Sequence, residues 1–172
     1  MKKTVIIIYI CALCACQAET EQKAANTQMQ DIDSYINRQL ADTSLHATLV
    51  VNNNTYRLIY TSGTAPTAGR GDSVYFSYIG YIFASNRKTP FDTNRDTLGF
   101  TPIHNNGIGI VGVGHYIAGL DNGLSGMQTG EKAEILFPAS EGYGNTTVGT
   151  VPPLSALLFE VEMTKVVMND EQ

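Results

Sequence analysis

The sequence has no tryptophan, only three cysteines and only three histidines among its 172 residues, and each scarcity excludes a class of site. All three cysteines lie within the first sixteen residues, so no disulfide framework can hold a core built from the rest of the chain. The histidines, His46, His104 and His115, are scattered and lack the spacing of metal ligands. We therefore expect a core held by packing alone and no metal site.

Positive charge is also scarce. Eleven Lys and Arg stand against sixteen Asp and Glu, which gives a formal net charge of -5, and the basic residues form no cluster. An acidic chain of this kind is not expected to bind nucleic acid. The glycines of residues 107–114 lack both the strand-then-helix context and the Gly-Lys-Ser/Thr of a phosphate-binding loop. Ser125 and Ser140 have no ordered His and Asp partners for nucleophilic catalysis. We expect no cofactor.

The only notable apolar run, residues 5–10, is too short to span a bilayer and follows Lys2 and Lys3, which is typical of a secretory signal. Residues 1–15 are therefore predicted to be a lipoprotein signal peptide. The segment ends in Leu-Cys-Ala-Cys, which resembles a bacterial lipobox with cleavage before Cys16. The alternative is an ordinary signal peptide with incidental cysteines.

Cleavage before Cys16 would remove two positive charges and no acidic residue, so the formal charge would change from -5 to -7. Cys16 would then be the only cysteine and would carry the lipid that binds the membrane. Gln17, rather than an Asp, follows it, and by analogy with Gram-negative lipoproteins this favours the outer membrane. The predicted location is the cell envelope, with the protein anchored by lipid to the outer membrane and facing the periplasm.

Two segments separate the predicted anchor from the main domain. Residues 16–30 are rich in Ala, Glu, Gln and Thr and are predicted to form a flexible tether. Residues 31–50 are predicted to be a helical extension, because Ile32, Tyr35, Ile36 and Leu40 recur at helical spacing. We favour a helix packed on the flank of the domain over a helix for dimerisation or partner binding.

Residues 51–168 are predicted to form a single α+β domain of strands and one short helix. Alternating or apolar segments predict strands over residues 55–61, 73–79, 131–138 and 156–167. Ile117, Leu120 and Leu124 have helical spacing and predict the helix. In the last strand, the face that contains Phe159 and Val161 is predicted to be the core face.

Six short motifs in this domain occur in an order that resembles the FK506-binding-protein (FKBP) type of peptidyl-prolyl cis-trans isomerase. Any one of them alone would be a weak signal, but together they extend over roughly a hundred residues. In chain order they are Gly-Asp-Ser-Val (71–74), Tyr-Ile-Gly (78–80), Phe-Asp-Thr (91–93), Phe-Pro-Ala-Ser-Glu-Gly-Tyr-Gly (137–144), Val-Pro-Pro (151–153) and Leu-Leu-Phe-Glu-Val-Glu (157–162).

The resemblance implies a twisted antiparallel half-barrel sheet wrapped around one short helix, with a proline pocket between them. It implies an isomerase that acts on X–Pro bonds of unfolded or folding exported polypeptides. The implied catalytic residues are Tyr78, Phe91, Asp92, Tyr143 and Phe159. The implied substrate-binding residues are Tyr116, Ile117, Leu120 and Val151. Each of these also has a simpler interpretation as a core or turn residue.

The sequence departs from the family in two places. Leu120 stands where the family often has tryptophan, which implies a smaller pocket floor. Residues 107–110, Gly-Ile-Gly-Ile, stand where many members have an aromatic wall, so this wall is either missing or supplied by Phe100 or Ile108. The departure supports an alternative function, a catalytically weak or inactive chaperone or binding module in an envelope complex. A third interpretation is a structural lipoprotein that uses the fold as a scaffold.

Overall fold

The computed structural model describes the backbone of residues 2–84, 87–95 and 105–169, and the side chains of residues 19–84, 88–95 and 106–169. Short 3-10 helices cover Asn105–Gly107 and Ala139–Glu141. The main elements are α1 (Lys2–Ala41), β1 (Thr48–Asn52), β2 (Thr55–Thr61), β3 (Thr64–Thr67), β4 (Ser73–Ala84), β5 (Arg87–Thr93), β6 (Ile108–Ile110), α2 (Ala118–Leu124), β7 (Gln128–Thr129), β8 (Lys132–Phe137) and β9 (Ala156–Val167).

Seven strands form one antiparallel sheet in the order β1-β2-β8-β9-β4-β5, with β6 paired to β4 beside this path. The long strands β4 and β9 pair along almost their whole length at the centre. The short strands β3 and β7 form a separate pair. This arrangement confirms the predicted α+β class with an antiparallel sheet.

Helix α2 packs so closely on strand β8 that glycine is required on the contacting face. A Cβ on Gly119 would lie 2.2 Å from the Phe137 ring, and one on Gly123 would lie 2.2 Å from Ile135. Arg57 on β2 holds the C-terminal end of the helix, because its guanidinium donates to the carbonyl oxygens of Gly123 and Ser125, both at 2.7 Å. These contacts fix α2 against the sheet, on the side where the pocket is predicted.

The described sheet is buried on both sides. We call the side that contacts α2 the pocket face. Its apolar cluster includes Phe76, Tyr78, Leu120, Phe137 and Phe159. We call the opposite side the helix face, because α1 packs on it. There the cluster consists of Ile32, Tyr35, Ile36, Leu58, Phe83, Leu136, Ala156 and Leu158.

Helix α1 differs from the prediction for the N-terminal segments. Residues 16–30, the predicted flexible tether, are helical and continuous with residues 31–41 of the predicted helical extension. Ala, Glu and Gln have high helix propensity, and the apolar stripe of Ile32, Tyr35 and Ile36 anchors the helix on the sheet, so docking stabilises it. The predicted boundaries at residues 15, 30 and 50 remain predictions. Within the ranges described above, no helix combines the length and hydropathy needed to cross a bilayer.

Candidate active site

The nine residues predicted for the pocket come from distant parts of the chain and converge on the pocket face. All but Asp92 belong to its apolar cluster or pack against it. Tyr78 lies on β4, Phe91 and Asp92 on β5, Tyr116 and Ile117 before α2, Leu120 on α2, Tyr143 and Val151 in the loop between β8 and β9, and Phe159 on β9. The structure therefore brings the whole predicted set together, while their individual roles remain predictions.

Asp92 is joined to this apolar cluster by a buried hydrogen bond with Tyr78. The Tyr78 hydroxyl donates to the Asp92 carboxylate at 2.8 Å, and both side chains have no exposed surface. Asn94 holds the Tyr78 backbone, because its amide oxygen accepts from the Tyr78 N–H at 2.8 Å and its amide nitrogen donates to the Phe76 carbonyl at 2.8 Å. A buried carboxylate needs such a donor, since an unpaired one is strongly disfavoured.

Aromatic rings surround this pair. The Phe91 ring meets the Phe159 ring edge to face at 5.8 Å and the Tyr143 ring at 6.4 Å. The Tyr78 and Phe159 ring centroids are 6.0 Å apart, and Phe137 stacks on Phe159 at 5.8 Å. Such ring pairs stabilise the fold by more than their buried area alone would, and they prefer particular relative orientations.

Sequence reasoning missed Gly80 and Phe137 as parts of the site. Gly80 pairs with Asp92 on one neighbouring strand and with Phe159 on the other. A Cβ there would lie 2.9 Å from the Phe159 ring and 3.1 Å from the Phe91 ring, so only glycine lets these two rings meet. A glycine inside an apolar strand signals such a close approach and could have pointed to this position.

Tyr143 is half-buried at the edge of the aromatic cluster. Burial, together with the nearby charge of Asp92, raises the pKa of its hydroxyl to about 12. The hydroxyl therefore keeps its proton across the physiological range and remains a hydrogen-bond donor.

Tyr116 accounts for the glycine-rich stretch that departs from the family pattern. A Cβ on Gly109 would lie 2.3 Å from the Tyr116 hydroxyl oxygen, so the Tyr116 ring occupies the space beside this glycine. The ring also meets Phe76 at a centroid distance of 5.6 Å. Ile108 is 45% exposed and supplies no wall, and Phe100 lies outside the described residues. An aromatic ring is thus present here, but it comes from the segment before α2.

The Tyr116 hydroxyl is buried and has no hydrogen-bond partner among the described residues. Burial, followed by the charge of Asp121, raises the pKa of Tyr116. Leu120 is fully buried and Val151 is 1% exposed, and the role of Leu120 as the pocket floor remains a prediction. Ile117 is the N-cap of α2, where helix N–H groups lack partners within the helix.

Two further predictions concern features outside this cluster. The side chain of Cys16 is not among those that the structure describes. Among the residues whose positions are described, no group of three or more His, Cys, Asp or Glu side chains could hold a metal ion.

Comparison with known proteins places these observations in a family. The family described as FKBP-type peptidyl-prolyl cis-trans isomerase matches residues 65–164, which are 100 of the 172 residues. FK506-binding protein 1 of Aspergillus oryzae is 34% identical over 116 residues, which cover 64% of this chain and 96% of that protein. The FK506-binding protein of Neisseria meningitidis serogroup B is 33% identical over 105 residues, which cover 60% of this chain and 88% of that protein.

The fold comparison agrees. The crystal structure of a peptidyl-prolyl cis-trans isomerase from Pseudomonas syringae pv. tomato matches with a TM-score of 0.62 at 19% identity, over 86% of this chain and 96% of that one. At this identity the likeness concerns the fold alone. All nine pocket residues fall inside the segment that the family matches, and the chain belongs to the FKBP-type peptidyl-prolyl cis-trans isomerases.

Proposed function

We propose that this protein accelerates cis–trans isomerisation of X–Pro bonds in folding exported polypeptides, by binding the proline in the pocket of Tyr78, Phe91, Leu120 and Phe159. The observation that carries the proposal is the fully buried hydrogen bond from Tyr78 to Asp92 inside an otherwise apolar cluster. Burying a carboxylate among apolar side chains costs free energy that hydrogen bonds only offset, and a role in the site would account for a carboxylate in this position.

The chemistry needs no nucleophile or cofactor. Rotation about the peptide bond has a barrier of about 18–20 kcal/mol, because the planar amide is stabilised by resonance. The twisted amide has lost this resonance and is less polar, so a dry apolar pocket favours it over the planar form. Each 1.36 kcal/mol of preferential stabilisation accelerates exchange about tenfold.

Tyr143 and Ile117 are the groups that would orient the substrate. The Tyr143 hydroxyl is protonated at neutral pH, as any tyrosine is, and burial raises its pKa further, to about 12, so it can donate to a substrate carbonyl. The Ile117 N–H lies at the N-terminus of α2, a position that suits a second carbonyl. The Asp92 charge would bias the polarity of the pocket, held in place by Tyr78.

The test is the exchange rate of a short X–Pro peptide, measured by NMR with the parent, Asp92→Ala and Tyr143→Phe. Tyr75→Phe is the matched control, since Tyr75 also lies in the domain but is 37% exposed. We expect the parent and Tyr75→Phe to accelerate exchange equally and the two pocket variants to be slower. A well-folded parent that does not accelerate exchange would contradict the proposal for simple substrates.

That outcome would favour the alternative, a binding module that holds unfolded partners. A proline-free unfolded client separates the two functions, because a holdase suppresses its aggregation whereas isomerase activity gives no benefit. The Tyr116 ring beside Gly109 supports the enzyme, because an aromatic side chain fills the region where the sequence lacks one.

We also infer that lipid on Cys16 anchors the protein to the outer membrane, facing the periplasm. The supporting features are Lys2 and Lys3, the short apolar run after them and the small residue before Cys16. Helix α1 contacts the domain from Glu21 onward, through its hydrogen bond with Asn145, so only about five residues, a rise of roughly 8 Å, would separate the lipid on Cys16 from the first contact. Mass spectrometry of the envelope protein should show acylated Cys16, and Cys16→Ser should release the protein. An unmodified Cys16 in the mature protein would contradict the anchor.

A further inference from the structure

Helix α1 contacts the loop that carries Tyr143. We call residues 138–155, which connect β8 to β9, the Tyr143 loop. The Gln28 side-chain amide reaches both ends of this loop. Its nitrogen donates to the Leu154 carbonyl at 2.7 Å, and its oxygen accepts from the Ala139 N–H at 2.9 Å. One side chain thus joins two loop positions that are fifteen residues apart.

The same two loop residues are joined to each other through Gly144, the neighbour of Tyr143. The Gly144 N–H donates to the Ala139 carbonyl, and the Leu154 N–H donates to the Gly144 carbonyl, both at 2.8 Å. Together with the two bonds of Gln28, these form a closed circuit of four hydrogen bonds. The circuit fixes the backbone at Gly144 and therefore the position of the adjacent Tyr143.

The position of Gln28 on α1 makes this contact part of the docked face of the helix. Gln28 is four residues before Ile32 and seven before Tyr35, so it shares their side of the helix. Seven residues earlier on the same side, Glu21 accepts a hydrogen bond from the Asn145 side chain at 2.8 Å. The stripe that packs α1 on the sheet therefore continues as polar contacts along the Tyr143 loop.

We propose that Gln28 is a positioning residue for isomerisation, which acts by holding the Tyr143 loop through its amide. This inference rests on the proposed function. An amide suits the role because one group supplies both the donor for Leu154 and the acceptor for Ala139. The predicted pocket floor and aromatic walls come from α2, β4, β5 and β9. Val151 shares the loop with Tyr143 but is held by its own backbone hydrogen bonds with Val148. Losing the Gln28 contact should therefore disturb Tyr143 more than the proline-binding surface.

The experiment compares the full-length parent with Gln28→Ala and Gln30→Ala by NMR exchange of an X–Pro peptide over a range of peptide concentrations. Gln30 is the matched control, because it is an exposed glutamine on the same helix. For Gln28→Ala we expect kcat per folded molecule to fall about fivefold with little change in KM, since an interaction made in the transition state is weakened. Gln30→Ala should match the parent.

Amide hydrogen exchange provides a readout at the loop itself. In Gln28→Ala the Gly144 and Leu154 amides should exchange faster, while amides in the centre of β9 keep the protection of the parent. Equally faster amide exchange throughout the sheet would instead indicate general destabilisation of the fold and would overturn the positioning role.

Gln28→Glu adds a conservative rescue. Its ionised carboxylate can accept from Ala139 but cannot donate to Leu154, so the variant should be slow at pH 7. Protonation restores a donor, so the isomerisation rate of Gln28→Glu relative to the parent should rise as the pH falls towards the carboxyl pKa of about 4.3. Near-UV circular dichroism monitors the folded fraction at each pH. An active parent with unchanged Gln28 variants would overturn this inference alone, whereas an inactive parent would overturn the proposed function as well.

Discussion

Strand β9 buries Phe159 on the pocket face and, one residue earlier, Leu158 on the helix face, and both side chains have no exposed surface. Around Phe159 the neighbours are the rings of Tyr78, Phe91 and Phe137. Around Leu158 they are apolar residues of α1 and of the sheet. Both faces bury these side chains, but only the pocket face brings together the residues proposed to bind proline.

The helix face contains a polar network centred on one buried glutamate. Glu134 on β8 accepts hydrogen bonds from the hydroxyls of Tyr35 and Tyr60, both at 2.7 Å, and forms an ion pair with Lys88. Lys88 also reaches Glu160 at 3.3 Å. Tyr35 belongs to α1 and the other partners to the sheet, so the network fixes where the helix docks. On the proposed function, the pocket face serves a ligand, whereas the helix face serves one fixed packing arrangement.

The largest expected effect is that of Phe159→Ala. Removing this ring should lower the free energy of unfolding by about 4 kcal/mol, because it leaves a cavity among three aromatic neighbours. Isomerase activity per folded molecule should also be lost, since a pocket wall is gone. Urea denaturation gives the stability, and NMR exchange of an X–Pro peptide gives the activity. Full activity in the folded variant would place the proline elsewhere.

Leu158→Ala is the matching change on the helix face. We expect a loss of about 3 kcal/mol in the free energy of unfolding, because the removed side chain is fully buried beneath α1. Activity per folded molecule should stay at the parent level, measured well below the thermal transition. A variant that is as inactive as Phe159→Ala would show that the two faces are not functionally separate.

The pocket face was predictable because its pattern is simple. The alternation in β9 predicted the strand over residues 156–167 and placed Phe159 on the core face, as the structure has it. The ordered motifs predicted which residues would meet in the pocket. The sequence did not predict that the Tyr116 ring lies where the family has an aromatic residue near Gly109. This contact depends on how the chain turns before α2.

The helix face was harder to predict, since its alternation includes charged residues. Leu158, Glu160 and Glu162 occupy the face of β9 that was not predicted to be core, yet Leu158 is fully buried. Glu134 is also buried, because α1 and Lys88 cover it with compensating charge and hydrogen bonds. A period-two pattern reports which side chains share a face, but it does not show that a helix from another segment covers them.

Glu134→Gln tests whether the polar network stabilises the docked helix. The amide keeps the shape of the side chain but loses the charge that faces Lys88, so we expect the free energy of unfolding to fall by about 2 kcal/mol. Glu162→Gln is the matched control on the next strand, because its ion pair with Lys132 is exposed and should contribute less than about 1 kcal/mol. If urea denaturation gave both variants the same loss in the free energy of unfolding, the buried network of Glu134 would stabilise the fold no more than an exposed ion pair does.

The smallest expected effect concerns the stability of the fold in alkali, where one tyrosine from each face can be compared. Burial raises the pKa of Tyr35 to about 12, with Glu134 adding to the shift, and burial with Asp92 raises that of Tyr143 to about 12. In the unfolded chain both titrate near pH 10. The folded state therefore holds more protons between about pH 10 and pH 12, so the associated stability is complete below pH 10 and is lost as the pH rises through that window.

Tyr35→Phe and Tyr143→Phe should each reduce this alkaline loss of stability, by up to about 1.4 kcal/mol per pH unit within the window. Urea denaturation at pH 7 and at several values above pH 10 measures the slope. Both variants should become less sensitive to alkali, but only Tyr143→Phe should also slow isomerisation at pH 7. If Tyr35→Phe slowed isomerisation equally, the two faces would be coupled through the sheet, and the division between a ligand face and a docking face would fail.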